Sequence, residues 1–264
     1  MKLDTKIKPT LVHAETRGGL RVIRLSDPER RNALSAEMRA AIEAALAAAN
    51  ADPAIAGIVL AAEGRAFCAG GDLGTMEGMT AAEAEARIRD AHRLPRAIHA
   101  SPKPVVAAVE GICAGAGLAL ASICDLMVIG AGARFVTAFE KVGLMPDLGA
   151  CWSVAQRIGP QAARRLFLLG GDLDAHDAAA LGLCDLLVAE GAAETEAEAL
   201  ALRLARSAPG TRSAVRALFA ALPARLDDVL AAEAATQPRL YLSEDLREGI
   251  AAFRARRDPV WTGR

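Results

Sequence analysis

An α/β fold that ends in a helical subdomain is what this sequence predicts, on three observations. Short, nearly continuous apolar runs, such as residues 55–61 (IAGIVLA) and Val105–Val109, have the length and character of strands buried on both faces. They alternate with stretches of helical period, a pattern that calls for right-handed crossovers and largely parallel pairing. Beyond about Gln161 the chain reads almost wholly as helix, with Leu186–Val188 the exception.

Taken in order, residues 11–15 and Leu20–Leu25 read as two short strands around Arg17-Gly18-Gly19, a hairpin signal that ends at Asp27-Pro28. Ser35 stands where a helix N-cap belongs, and Met38, Ile42, Ala45, Leu46 and Ala49 then form one apolar stripe. A buried strand follows at 55–61, then a glycine-punctuated loop at 64–78 and one Ala/Glu/Arg-rich helix reaching about His99. Lys103-Pro104 introduces Val105–Val109, residues 111–120 turn into a small-residue helix, and 126–129 form the next strand. Residues 1–200 are expected to form the core and 201–264 a helical subdomain, with no long linker and no internal repeat. The apolar stripe Leu218, Leu222, Leu226, Leu230 and Leu240 is more than that subdomain can hide, so an oligomer is expected.

Composition narrows the function. A chain of 264 residues, 53% hydrophobic, buries a sizeable core without staples. Lys and Arg total 31 against 32 Asp and Glu, so no basic surplus favours nucleic acid or an anionic membrane. Aromatic residues, at 3%, are too few for base-stacking platforms or sugar clefts. Mean hydropathy is +0.23, yet the longest uncharged apolar-rich stretch, 111–124, falls short of the roughly 20 residues that cross a bilayer. MKLDTKIKPT has no apolar leader segment, so no secretory signal is expected. Cys68, Cys113, Cys124, Cys151 and Cys184 are odd in number and scattered, which suits buried thiols in a reducing, cytoplasmic setting. His13, His92, His99 and His176 lack metal-ligand spacing, and no metal is expected.

Three stretches could carry chemistry. Residues 66–73 (AFCAGGDL) place paired glycines after a buried strand, where backbone N–H groups can face a ligand; a plain turn capped by Asp72 is the alternative. In residues 109–120 (VEGICAGAGLAL) a strand runs through a Gly/Ala loop into a helix, a geometry suited to a phosphate or a developing oxyanion, or simply to close packing. As a dinucleotide fingerprint it is poor, because Leu120 replaces the third glycine. In residues 139–149 (FEKVGLMPDLG), Asp147 is either an N-cap or, among Val142, Leu144, Met145 and Leu148, a desolvated base.

Together with RRNAL at 30–34, KPVVAAVEG at 103–111, CDL at 124–126 and SEDLREGIAAF at 243–253, these stretches resemble the crotonase (enoyl-CoA hydratase/isomerase) superfamily from about residue 11 to 263. The resemblance implies a spiral of ββα repeats, assembly as homotrimers or dimers of trimers, an acyl-CoA thioester substrate, and no cofactor beyond the CoA of that substrate. It implies an oxyanion hole made by the Gly71 and Ala116 amides, flanked by Gly70 and Gly115. Ala33, Ala69 and Leu73 fall where the family lines its CoA site, with Asp72 beside them. Family hydratases carry two glutamates where this chain has Ala119 and Phe139, with Glu140 one place off as a possible second acid. Asp147 matches the aspartate of several family isomerases, and FVTAF at 135–139 with LMPD at 144–147 most resembles the phenylacetate-pathway isomerases. A double-bond-shifting isomerase is thus expected. The alternatives are a hydratase using Asp147 or Glu140, and a catalytically silent acyl-CoA-binding subunit.

Overall fold

The computed structural model describes residues 10–221 and 225–264; the leading segment 1–9 and Leu222 of the expected C-terminal stripe lie outside them. A first compact unit ends at Leu202, and a second spans Arg203–Arg264.

Hairpin β1 (Val12–Arg17) and β2 (Leu20–Leu25) opens the first unit. Its turn is Gly18-Gly19, both at positive φ, which lets the two strands pair to their last residues, Arg17 opposite Leu20. Helix α1 (Ala36–Ala51) starts where Ser35 accepts a hydrogen bond from the Met38 N–H at 3.1 Å. β3 (Gly57–Ala62) follows, then β4 (Ala66–Cys68). The single helix expected up to His99 is two, α2 (Ala81–Ala91) and α3 (Arg93–His99). Pro95 explains the break: it has no N–H to continue α2 and is tolerated only in the first turn of a new helix. β5 (Val105–Val109), β6 (Ile112–Ala114), α4 (Ala116–Ser122), β7 (Leu126–Gly130) and β8 (Arg134–Val136) come next. After them come α5 (Ala150–Ile158), α6 (Pro160–Leu169), β9 (Asp172–Asp174), α7 (Ala175–Ala180), β10 (Leu186–Val188) and α8 (Ala193–Ala205).

Two sheets result. The larger has the order β1-β2-β3-β5-β7-β10, parallel except for the opening hairpin. The smaller, β4-β6-β8-β9, is parallel up to its antiparallel edge strand β9. Three successive turns, β3 with β4, β5 with β6 and β7 with β8, each lay one strand in the large sheet, the next in the small sheet, and then helix, so the ββα spiral is realised. The core between these layers includes Ile23, Met38, Ile42, Leu60, Phe67, Val109, Leu118, Met127 and Phe135. Cys68, Cys113 and Cys124 are buried in it, Cys184 is half-buried, and Cys151, contrary to a wholly buried set, is exposed.

The second unit holds α9 (Pro209–Ala220), α10 (Leu226–Tyr241) and α11 (Glu244–Ala255). Asp245, buried at the start of α11, accepts from the N–H groups of Thr262 and Gly263 and so ties down the tail. Among the described residues no helix is long and apolar enough to cross a membrane.

Candidate active site

Because β4, β6 and β8 are neighbours running parallel, their C-terminal ends lie side by side, and the three stretches singled out by sequence meet there. The loops touch. A Cβ on Gly70, whose φ is +101°, would stand 3.1 Å from the Ala114 carbonyl oxygen and 3.6 Å from the Ala116 nitrogen. One on Gly115 would come within 3.6 Å of the Thr137 carbonyl oxygen and 3.9 Å of the Gly70 Cα. Positive φ favours glycine at both positions, and at Gly70 the close approach of the Ala114 carbonyl adds to it. The Gly115 N–H donates to the Val136 carbonyl at 2.8 Å and joins the second loop to the third.

The first loop is held from behind. Asn32, fully buried, donates to the carbonyls of Glu63 and Ala66 and accepts from the Asp27 N–H. Next to it the Ala69 N–H donates to the Arg31 carbonyl, and the Leu34 N–H to the Gly70 carbonyl at 2.8 Å. Among the described residues, the Gly71 and Ala116 N–H groups have no acceptor. Ala33 and Ala69 are half-buried and Leu73 is exposed. Asp72 does not cap the turn after it; it pairs with Arg30. Burial pushes the Cys68 thiol up to about 12, so this sulfur is no nucleophile.

Asp147 does not cap a helix. Gly149 occupies the cap of α5, and Asp147 gives the Ala150 N–H only its backbone carbonyl. Its Oδ1 is buried without a hydrogen-bond partner, and burial holds the carboxyl above the ordinary aspartate value. Arg39, His92 and Arg87 work against that rise. The desolvating apolar neighbours expected from sequence need correction: Val142, Leu144 and Met145 are exposed, Met145 at 76%. Only Leu148 is buried, at a left-handed φ of +50°, against Leu94, Pro95, Ala119, Leu120 and Ile123. Glu140 is exposed, and its Oε2 accepts from the Thr137 hydroxyl at 3.0 Å. That hydroxyl in turn accepts from the Gly171 N–H, so Glu140 leans towards the segment before β9. Ala119 and Phe139, the two positions matched to glutamates, are both buried. No group of three or more potential metal ligands occurs among the described residues.

Sequence reasoning missed the cations around Asp147. Arg39 could have been found, since it lies in helical phase with Ile42, Leu46 and Ala49 on the buried face of α1.

The sequence model described as enoyl-CoA hydratase/isomerase matches residues 15–264. A probable enoyl-CoA hydratase of Rhodobacter capsulatus is 39% identical over 257 residues, covering 96% of this chain and 98% of its own. The 1,2-epoxyphenylacetyl-CoA isomerase of Escherichia coli is 35% identical, over 96% of this chain and 98% of its own. Among solved structures, an enoyl-CoA hydratase from Polaromonas sp. JS666 superposes with a TM-score of 0.89 at 36% identity, covering 95% of this chain and 99% of that one.

Proposed function

The chain belongs to the enoyl-CoA hydratase/isomerase family, and from that membership we propose that it shifts a double bond in an acyl-CoA thioester, with Asp147 as the base. One observation supports this above the rest: the only ionisable side chain among Ala119, Phe139 and Asp147 is Asp147, and its Oδ1 is buried and unpartnered. That oxygen has no bond to give up before taking a proton, and the carboxyl's raised pKa brings its basicity towards the working pH.

In the proposed cycle the Asp147 carboxylate takes a proton from the carbon next to the double bond. The electron pair released from that C–H bond moves through the chain into the thioester oxygen, giving an enolate. Both the Gly71 and Ala116 N–H groups then donate to that oxygen. An alanine serves as well as a glycine because only the N–H acts. The same carboxyl returns the proton two carbons along, a new C–H bond forms, and the double bond has moved with no water consumed. The CoA moiety would lie along Ala33, Ala69 and Leu73. Gly70 and Gly115 would keep the two loops close, and the Arg30–Asp72 pair would stiffen the rim.

Hydration is the second reading, supported by relatives that bear hydratase names. It needs a group that activates water and another that donates a proton. Glu140 is the candidate for the latter, although its bond to Thr137 turns it aside. Purified protein given 3-enoyl-CoA and, separately, 2-enoyl-CoA decides between them. Interconversion of the two without a hydroxyacyl product is the expected result. Hydroxyacyl-CoA formation would favour the second reading, and tight CoA binding with neither reaction would leave a silent acyl-CoA-binding subunit.

A further inference from the structure

We propose that Arg39 is a positioning residue of this site, its one buried guanidinium serving both the Gly71 amide and the Asp147 carboxylate. The proposal rests on the reading of Asp147 as the base.

The first half is geometric. Arg39 Nη1 donates to the Leu34 carbonyl at 3.1 Å, and the Leu34 N–H donates to the Gly70 carbonyl at 2.8 Å. The Gly70 carbonyl and the Gly71 N–H belong to one planar peptide unit. Fixing the carbonyl therefore fixes where the N–H points. A chain of two hydrogen bonds thus runs from the Arg39 side chain to the peptide that carries an oxyanion donor.

The second half concerns charge. The Arg39 side chain is 5% exposed, and its Nε, like Asp147 Oδ1, is buried without a partner. Its remaining bond, Nη2 to Asp90 Oδ2 at 3.1 Å, reaches a carboxylate that is half exposed. A buried guanidinium is costly at a helix position where Leu or Met would pack, and its hydrogen bonds and charge must offset that cost. The charges acting on Asp147 come from three places: Arg39 on α1, Arg87 on α2 and His92 at the α2–α3 junction. Arg87 is turned to the Thr75 hydroxyl and the Asp72 carbonyl. Arg39 is the most deeply buried of the three and the least screened by water. Its positive charge favours the ionised, basic form of Asp147 against the burial that disfavours it. Asp90 partly offsets that charge.

Opposite changes should therefore move Asp147 in opposite directions. Two readouts are used on the whole protein: the acid limb of the pH profile of kcat/KM, and infrared titration of the carboxyl band that vanishes in Asp147→Asn. Arg39→Met should move both to higher pH, and Arg39→Lys should restore them. Asp90→Asn, a change at a half-exposed side chain, should move both to lower pH even where Arg39→Met does not fold. A merely structural role lowers activity without moving either. A folded Arg39→Met with an unmoved titration, or an Asp90→Asn titration that stays put or rises, would overturn the proposal. Asp147→Asn that keeps its activity and its acid limb would instead overturn the base reading, while the infrared titration still decides the coupling.

Discussion

At the scale of residues, Asp147 carries a half-buried carboxylate whose Oδ1 has no hydrogen-bond partner. Asp147→Asn keeps the shape and removes the proton acceptor. Turnover should fall by roughly 10²–10⁴-fold, the usual worth of a positioned base, with acyl-CoA binding retained. Glu140→Gln should be mild, because Glu140 is exposed and bonded to Thr137. Stability should change the other way. With its folded pKa raised above the ordinary 3.8, Asp147 binds its proton more tightly in the folded chain than in the unfolded one. Its ionisation therefore lowers stability as pH rises from 3.8 through the folded value, and the full penalty is present above that window. Chemical denaturation at neutral pH should find Asp147→Asn more stable than the parent, and the advantage should fade as pH falls through the window. An advantage that grows on acidification would contradict the assignment of a raised pKa.

At the scale of elements, the site depends on how closely α4 lies against β4. A Cβ on Gly117 would stand 2.6 Å from the Cys68 carbonyl oxygen and 2.8 Å from its Cβ, atoms that cannot swing aside. Gly117→Ala gains about 1 kcal/mol in helix propensity. Overpacking costs roughly 1–3 kcal/mol, so the change should be net destabilising. Because α4 must lift to relieve the clash, Ala116 moves away from the Gly71 loop and kcat should fall further than the melting temperature suggests. Unchanged kcat in a folded Gly117→Ala would detach the α4 amide from the chemistry. The same closeness explains what could be read from sequence. β3 and β5 announce themselves as apolar runs because both of their faces are covered. β4, β6, β8 and β9 are three residues each, too short to show a period. β4 and β6 passed as loop or as the approach to a helix, β8 went unread, and β9 lies in the stretch read as helix, which it corrects. The loops at their ends were legible through glycines and the quoted motifs, which is why Gly71 and Ala116 could be named. The charges around Asp147 come from α1, from α2 and from the α2–α3 junction, distant in sequence and brought together only by the fold.

At the scale of the whole molecule, the exposed apolar side chains argue for assembly. In the second unit Phe253 is 85% exposed and Leu242 77%, and Leu226, Leu230 and Tyr241 are also exposed. Of the stripe expected from sequence, Leu218 and Leu240 are partly buried, so packing within the subunit accounts for only part of it. Leu240, Tyr241, Leu246, Ile250, Phe253 and Trp261 line one groove of about 1040 Å³ within this unit. Burying a Leu or Phe fully contributes about 1.5–3 kcal/mol, so a handful of such side chains covered together offsets the entropy lost on association. Monomeric proteins rarely leave large contiguous apolar patches open. The purified chain should therefore sediment as an oligomer at micromolar concentration, the family resemblance implying a trimer or a dimer of trimers. Phe253→Glu combined with Leu242→Glu should shift it towards the monomer, since a charge buried without a partner costs far more than the lost apolar contact. Circular dichroism of that double variant should show its helices retained. A parent chain that sediments as a stable monomer, or a double variant whose assembly is unchanged, would place these side chains outside any subunit interface.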